Sequence, residues 1–506
     1  MGIVARQSIK GTIINYIGVA VGFVTTFFVM TKYLTAEEVG LTRVLTDAAI
    51  LMSSLAQLGT NTSAMRYYPY FKDDANRDNG FFGWTILIPA IGFVMFLILF
   101  FIFKDSIVYY FSESSSLFVD YLYFVIPMSF FMLYLTVFET NSNVLMRIAV
   151  PKFIREVGIR VFTLADYLLY AFDIITLDGM VIGLCLAYVI ATLLNVVYLL
   201  SLKRVSFKIK PSFVSKSLRR DFLLYTFFLL VSSIVTNVPV INTFFISGSL
   251  GLAFTGVYTI AVYISNLVEM PYRSLGAISK PRLAQAIKDN DIYETRELCK
   301  SVSFHQLIVG LLVFFVITIN IDLFYTILPN GEVYADGKWV FILLGIVKLF
   351  NSTLNIGVTV LSYSKYYYFS LFSTIILMVL NIIFNINFIP VLGMEGAALA
   401  SLLSYAIYYV LILSLIWFKL KVSPFSVKQI TVIFLIIILF AINILMTDTI
   451  SVWFVELFNA SVFGIIFEAL LRTVILVFIA VFVIYHLKLS EQINNIIEKA
   501  LPFIKK

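Results

Sequence analysis

Long apolar stretches separated by short polar connections run through almost the whole sequence. A helix needs about 20 predominantly apolar residues to cross the hydrocarbon core of a bilayer, so each stretch of that length predicts one transmembrane helix. The pattern predicts an all-α integral membrane protein of about fourteen spans. The predicted spans are 11–33, 41–65, 80–103, 117–145, 157–175, 179–202, 221–246, 252–278, 302–328, 339–363, 366–389, 394–418, 429–447 and 462–487.

The distribution of the 36 lysine and arginine residues predicts the orientation in the membrane. Cytoplasmic loops of membrane proteins carry an excess of these residues. If the N-terminus lies inside, 30 of them fall on inner segments and 4 on outer segments. The outer four are Lys32, Arg43, Lys104 and Lys338, and Lys348 and Arg472 lie within spans. We therefore expect both termini in the cytoplasm, and we attribute the net charge of +7 to inner loops rather than to a nucleic-acid partner.

Composition narrows the possible functions. Hydrophobic residues make up 61% of the 506 residues and charged residues 13%, against about half and a quarter in soluble domains. Cys185 and Cys299 give no disulfide framework or metal-ligand spacing, and the sequence has no nucleotide-binding loop or nucleophile elbow. We therefore expect no enzyme activity, no metal and no cofactor. Without a nucleotide-binding loop the protein cannot hydrolyse ATP. Any transport across the membrane would therefore draw on a gradient of Na⁺ or H⁺, on the membrane potential or on consumption of the transported molecule.

The sequence contains an internal repeat. Segment 34–74 aligns without gaps on segment 250–290 at a shift of 216 residues, and Gly40 then meets Gly256. A second similarity, at a shift of 217, relates the sixth predicted span to the twelfth. Six spans return the chain to the same side of the membrane, so the two halves would be parallel repeats.

This repeat predicts the domain organisation. Two six-span halves are joined by a basic cytoplasmic linker and are followed by two spans outside the repeat. The predicted boundaries are 1–202 for the N-lobe, 203–220 for the linker, 221–418 for the C-lobe, 429–487 for the last two spans and 488–506 for a cytoplasmic tail.

Five segments carry a family resemblance. They are Lys10–Tyr16 (KGTIINY), Leu34–Leu41 (LTAEEVGL), Arg66–Phe71 (RYYPYF), Gly256–Gly276 (GVYTIAVYISNLVEMPYRSLG) and Pro390–Tyr405 (PVLGMEGAALASLLSY). In their order and spacing they resemble the polysaccharide-transporter (Wzx-type) oligosaccharide flippases of the multidrug/oligosaccharidyl-lipid/polysaccharide (MOP) exporter superfamily.

The resemblance implies a fold and a function. It implies two six-helix lobes arranged in a V, with spans 1, 2, 7 and 8 lining a central cavity. It implies alternating access that carries an undecaprenyl-diphosphate-linked oligosaccharide from the inner to the outer leaflet of the bacterial cytoplasmic membrane, for cell-surface polysaccharide or lipopolysaccharide O-antigen synthesis. The expected partners are that lipid-linked oligosaccharide, membrane lipids and glycan polymerase machinery. Lipid II flippases of the superfamily also have fourteen spans, of which the last two help to form a groove for the lipid tail.

Cationic side chains in the predicted cavity helices are candidates for binding the lipid diphosphate. A diphosphate crossing a low-dielectric slab needs fixed cations, and arginine offers paired donors to phosphate. The alternative is that residues near the helix ends extend to the membrane surface and only set topology. The candidates are Arg66, Arg273, Arg43, Lys10 and Arg6.

Four further residues are candidates for gating or ion coupling, because charges within spans are rare and usually functional. Glu269 is four residues before Arg273 on one helical face, so the two can pair as a clamp or a gate. Asp47 follows Arg43 by one turn. Asp166 and Lys348 lie near the middle of their spans and have no opposite charge nearby in the sequence. Each either pairs with a residue elsewhere in its own lobe or serves ion coupling.

Arg472 in the last span lies four residues after Glu468. The two charges either neutralise each other so that the helix inserts, or Arg472 lies beside a groove for the lipid tail.

Two other functions fit parts of the sequence. A multidrug exporter of the same superfamily would carry organic cations and would need an acidic cavity, whereas the candidate cavity charges here are mostly basic. A membrane glycan polymerase would show a large outer loop, and a membrane acyltransferase would need a histidine inside the membrane. The predicted outer loops are short, and His305 and His486 lie at inner ends of spans.

Overall fold

The computed structural model describes most of the chain, and every regular element in the described part is helical. The described residues are 3–73, 78–203, 205–206, 208–209, 220–221, 225–226, 238–458, 462–491, 494–495 and 498.

The longer helices follow the predicted spans in order. They are α1 (Ile3–Val24), α2 (Ala36–Ala56), α3 (Thr60–Phe71), α4 (Phe81–Ser112), α5 (Val125–Val144), α6 (Ile159–Ala171), α7 (Leu177–Ser201), α8 (Val238–Ser249), α9 (Leu252–Lys288), α10 (Ile292–Ile319), α11 (Lys338–Tyr363), α12 (Tyr367–Leu420), α13 (Val427–Phe458) and α14 (Val462–His486). Shorter helices at Ser116–Asp120, Ala149–Phe153, Ile321–Ile327 and Gly331–Tyr334 connect them. A π-helical turn at Thr25–Met30 extends α1, and another at Ile154–Gly158 leads into α6.

Within the described residues, eleven helices are long and apolar enough to cross a membrane. The 54-residue α12 covers two predicted spans, which a kink at Gly393 (φ 60°) separates just after Pro390. Predicted span 5 corresponds to the continuous helical run 149–171. Of predicted span 7, residues 221, 225–226 and 238–246 are described, and the last of these lie in α8. The chain is therefore a multi-pass membrane protein, as expected, while the count of fourteen stays a prediction.

The helices form two compact units. Met1–Ile260 and Leu377–Ala400 make up unit 1, and Ala261–Ile376 and Ser401–Lys506 make up unit 2. In unit 1, α2 packs against α4, α5 and α8, and α7 packs against α5 and α6. In unit 2, α10 packs against α11 and α13, and α13 packs against α14. The predicted lobe boundaries stay predictions.

Two glycines bring α2 and α9 into backbone contact. A Cβ on Gly40 would overlap the carbonyl group of Leu252, and a Cβ on Gly256 would overlap that of Ala36. Ala36 and Leu252 are themselves related by the 216-residue shift that relates Gly40 to Gly256. The contact is thus reciprocal, as an approximate two-fold axis between the two helices would make it. Only glycine permits so close an approach.

Candidate functional site

An ion pair lies within α2. Thr35 begins this helix with a capping box, in which its hydroxyl accepts from the Glu38 N–H at 3.2 Å and the Glu38 carboxylate accepts from the Thr35 N–H at 2.8 Å. Further along, Arg43 Nε donates to Asp47 Oδ2 at 2.7 Å. The Asp47 side chain is 3% exposed and that of Arg43 19%. Each charge alone would cost about 3 kcal/mol in lipid, so pairing lets both remain in the membrane.

A network of neutral polar side chains, which we call the asparagine network, lies in the same unit. Asn242 on α8 donates to Tyr258 Oη at 2.9 Å and accepts from Asn385 Nδ2 at 2.9 Å. Asn385 also donates to Asn381 Oδ1 at 3.0 Å. All four side chains are buried. Tyr258 interacts electrostatically with the Arg43–Asp47 pair. Together these groups form the polar centre of unit 1.

The sequence analysis missed the asparagine network because it looked for charge. Asn381 and Asn385 are four residues apart within an apolar span, and this spacing places them on one helical face. Polar amides within a span form hydrogen bonds across helices, because an unpaired amide in hydrocarbon costs several kcal/mol. A search for paired amides at this spacing could have found Asn381 and Asn385.

Arg66 lies on α3 with an exposed side chain. Its guanidinium carbon is 4.2 Å from the centre of the Tyr225 ring and 5.7 Å from that of Tyr67, and Tyr225 accepts a hydrogen bond from it. Stacking uses the flat face of a guanidinium and leaves N–H groups at its edge for other acceptors. Arg66 is therefore an orientated cation that could bind an anion.

Glu269 on α9 pairs with Lys348 on α11. Lys348 Nζ is 3.0 Å from Glu269 Oε2, and the side chains are 20% and 17% exposed. The sequence left the partner of Lys348 unidentified, and the structure shows that it is Glu269. The Arg273 side chain lies outside the described residues, so the Glu269–Arg273 pair stays a prediction. A contact between residues so far apart in the sequence cannot be found from helical spacing. Lys348 thus lies against α9, which corresponds to one of the predicted cavity spans.

Asp166 on α6 lies against α7. It is 4% exposed, and its Oδ2 has no hydrogen-bond partner among the described residues. A Cβ on Gly183 would overlap the carboxylate, so the glycine makes room for it. An unpaired buried carboxylate is costly unless it holds a proton or a cation. The role of Asp166 in ion coupling stays a prediction.

Arg472 joins α14 to α13. Its Nη1 donates to Asn443 Oδ1 at 3.0 Å and to Thr447 Oγ1 at 2.8 Å, and its Nε is 3.1 Å from Glu468 Oε1. Arg472 is 8% exposed. Of the two interpretations from sequence, this geometry favours the neutralised pair, now with two further acceptors on α13. A role beside a lipid groove stays a prediction.

Three candidates have side chains outside the described residues. Arg6 and Lys10 lie on α1, and Arg273 lies on α9. Their predicted contacts with a substrate stay predictions.

The described residues contain five further ion pairs that the sequence analysis did not identify, and two of them lie in unit 1. Arg155 Nε is 2.5 Å from Glu139 Oε2, and its Nη2 donates to Thr136 at 2.7 Å. Arg160 Nη2 is 3.2 Å from Glu156 Oε2. Both arginines are among those that the orientation count assigns to the inner side, and each has a carboxylate partner.

The fold defines the class of protein, a multi-pass helical membrane protein. It is similar to the lipid II flippase MurJ in an inward closed conformation, with a TM-score of 0.69 and 15% identity over 95% of this chain and 99% of that chain. It is similar to an inward-facing multidrug resistance MATE family transporter, with a TM-score of 0.60 and 12% identity over 80% and 98%. It is also similar to a MATE transporter of Vibrio cholerae, with a TM-score of 0.52 and 11% identity over 83% of this chain and 99% of that chain. At these identities the likeness shows the fold.

Sequence comparison then gives the family. Residues 4–287, more than half of the chain, match the polysaccharide biosynthesis protein family, so the chain belongs to that family. This confirms the resemblance found in the sequence. No curated protein matches the sequence.

Proposed function

We propose that this protein moves a lipid-linked oligosaccharide, carried on undecaprenyl diphosphate, from the inner to the outer leaflet of the bacterial cytoplasmic membrane by alternating access. The product would serve cell-surface polysaccharide or O-antigen synthesis, and a glycan polymerase would receive it. The observation that carries the proposal is the extent of the likeness to a lipid II flippase, which covers 95% of this chain in a member of the polysaccharide biosynthesis family.

The same extent favours a flippase over a multidrug exporter. The two MATE transporters cover 80% and 83% of this chain. The greater coverage by the flippase supports a lipid cargo. The exporter remains the second candidate, because its fold is shared and because Asp166 supplies a buried carboxylate.

Arg66 is the described cation best suited to bind the diphosphate. Its guanidinium is exposed and is held by Tyr225, so little side-chain freedom is lost when an anion binds. Arg273, Arg43, Lys10 and Arg6 are the other cations that we propose for the same anion. Arg43 would have to exchange Asp47 for phosphate, so the Arg43–Asp47 pair would act as a gate.

Coupling would use the remaining charges. Asp166 would take up a proton or a sodium ion, and the Glu269–Lys348 pair would hold or release α9 as the cargo moves. We propose that such an ion gradient drives transport without a bound cofactor. We also propose that both termini are cytoplasmic.

The test is transport of a lipid-linked oligosaccharide in proteoliposomes. Wild type would be compared with Arg66→Gln, with Arg66→Lys and with the control Arg282→Gln, at equal insertion. Arg282 is 69% exposed and pairs with Glu294, so it serves as a basic residue without a proposed cargo role. We expect transport by wild type and the control, a loss of about tenfold or more in Arg66→Gln because one charge-assisted contact to phosphate is gone, and partial activity in Arg66→Lys.

Each alternative has its own outcome. Transport by Arg66→Gln at the wild-type rate would remove Arg66 from the site and leave the flippase proposal intact. Failure of wild type to move the lipid, together with exchange of cationic dyes for protons or sodium, would replace the flippase by the exporter.

A further inference from the structure

An apolar groove of about 620 Å³ lies within unit 1, apart from the polar centre. Its walls are α2, α4, the end of α8 and residues 118–125. All sixteen lining residues are hydrophobic, and Tyr110 is the one that carries a hydroxyl. The volume lies within the range of about 300–1,000 Å³ that ligand sites occupy.

The groove opens on the face of α4 that is exposed in the described structure. Leu99 and Phe103 are 40% and 56% exposed, whereas Phe111 and Phe118 at the closed end are 6% and 1% exposed. The Phe111 ring packs edge-on against Phe118 at 4.9 Å between centroids. Water would find almost no hydrogen-bond partner in such a lining. A lining of this kind suits a hydrocarbon chain.

A cation lies beside this groove. Lys104 directly follows the lining residue Phe103 and is one turn beyond Phe100. Its Nζ is 5.1 Å from the centre of the Tyr123 ring. Lys104 therefore lies beside the middle of the stretch of α4 that lines the groove, residues 96–111. A lysine beside an apolar groove complements a lipid whose hydrocarbon tail bears an anionic phosphate. The predicted orientation places Lys104 at the outer surface.

The helices that form the groove also form the polar centre. Leu51, which lines the groove, is four residues after Asp47 on α2, and Phe244 on α8 is two residues after Asn242. A tail in the groove therefore contacts the same two helices that carry the polar centre. This arrangement points to the transported lipid rather than to an unrelated bilayer lipid.

We propose that the groove holds the hydrocarbon tail of the transported lipid while Lys104 contacts its phosphate, in the outer half of the membrane. The inference rests on the proposed function, and it assigns the tail to α2, α4 and α8. It predicts that long-chain polyprenyl phosphates bind there in preference to ordinary phospholipids.

The test is photolabelling in proteoliposomes with a decaprenyl phosphate that carries a diazirine in its chain, followed by mapping of labelled peptides. We expect label in residues 96–111 and 244–245. An excess of unlabelled decaprenyl phosphate should prevent labelling at these residues. Phosphatidylglycerol at the same concentration should not prevent it. Label elsewhere, or equal competition by phosphatidylglycerol, would overturn the assignment, the second result making the occupant a bilayer lipid.

Matched variants sharpen the test. Leu99→Trp and the smaller Ala48→Leu fill the groove and should lower labelling by roughly tenfold, as expected when a few methylene groups lose their site. Ile98→Trp is the control, because Ile98 is 55% exposed and does not line the groove. Lys104→Gln should lower labelling severalfold, whereas Lys32→Gln, which removes a lysine 5.0 Å from the Tyr33 ring, should not. Unchanged labelling in both filling variants would contradict the proposal.

Transport measured on the same vesicles separates the two proposals. Labelling at the groove without transport by wild type would end the flippase proposal and leave a polyprenyl-binding groove. Transport without labelling would end the groove proposal alone.

Discussion

Several charged side chains within the helices of this membrane protein are each neutralised by a specific partner of opposite charge. Arg43 has Asp47, Lys348 has Glu269 and Arg472 has Glu468. Asp166 differs, because its Oδ2 has no partner among the described residues. The pairs and the unpaired carboxylate predict opposite responses to substitution.

Breaking the Glu269–Lys348 pair should destabilise the protein. Lys348→Met leaves a partly buried carboxylate alone, and we expect a loss of about 1–3 kcal/mol, below the value for fully buried pairs because both side chains retain some exposure. The double variant Lys348→Met with Glu269→Leu should recover most of this loss. Thermal unfolding of the purified protein would measure both, and equal losses in the single and double variants would show that the pair contributes nothing specific.

Removing the Asp166 charge should have the reverse effect on stability. Asp166→Asn keeps the shape and removes the cost of an unpaired carboxylate, so the unfolding temperature should stay the same or rise. If Asp166 couples transport to an ion, the variant should no longer respond to an imposed proton or sodium gradient. Transport assays with each gradient would test this, and a response equal to that of wild type would exclude Asp166 from coupling.

Among the helices, the crossing of α2 and α9 depends on glycine. Gly40→Ala would place a methyl group on the Leu252 backbone, and we expect a loss of about 1–3 kcal/mol in unfolding free energy. Gly11→Ala on α1 is the control, because its Cβ would meet only flexible Lys152 side-chain atoms at 3.5 Å. That control should be neutral or slightly stabilising. A small effect of Gly40→Ala would mean that the two helices can separate without cost.

The type and order of the helices could be predicted from sequence, and most of their contacts could not. Apolar length predicts a membrane helix because every backbone polar group must be satisfied within it. Local spacing likewise predicted the Glu468–Arg472 pair. The Lys348–Glu269 contact and the asparagine network join different helices, and one sequence does not contain their pairing. The kink at Gly393 was foreseen only as a boundary between two spans.

For the molecule as a whole, the orientation in the membrane can be tested by labelling. Cys185 and Cys299 are both buried, so they give little background and can be replaced by serine. Ser116→Cys should react with a membrane-impermeant maleimide in intact cells, because its segment is predicted to lie outside. Asp289→Cys should react only after the cells are permeabilised. The opposite pattern would invert the predicted orientation and move Lys104 to the inner surface.

The reciprocal contact of Gly40 and Gly256 has a consequence for the ancestry of the fold. If the repeat arose by duplication, an ancestral half-chain pairing with a second copy of itself would have made this contact twice, in an isologous dimer. Fusion of the two copies would then have turned an interface between subunits into one within a chain. Each of the two glycines faces the backbone of the other copy. A larger residue at Gly40 would therefore force the α9 backbone away, and a larger residue at Gly256 would force the α2 backbone away. We expect the two positions to vary together, or not at all, among related chains.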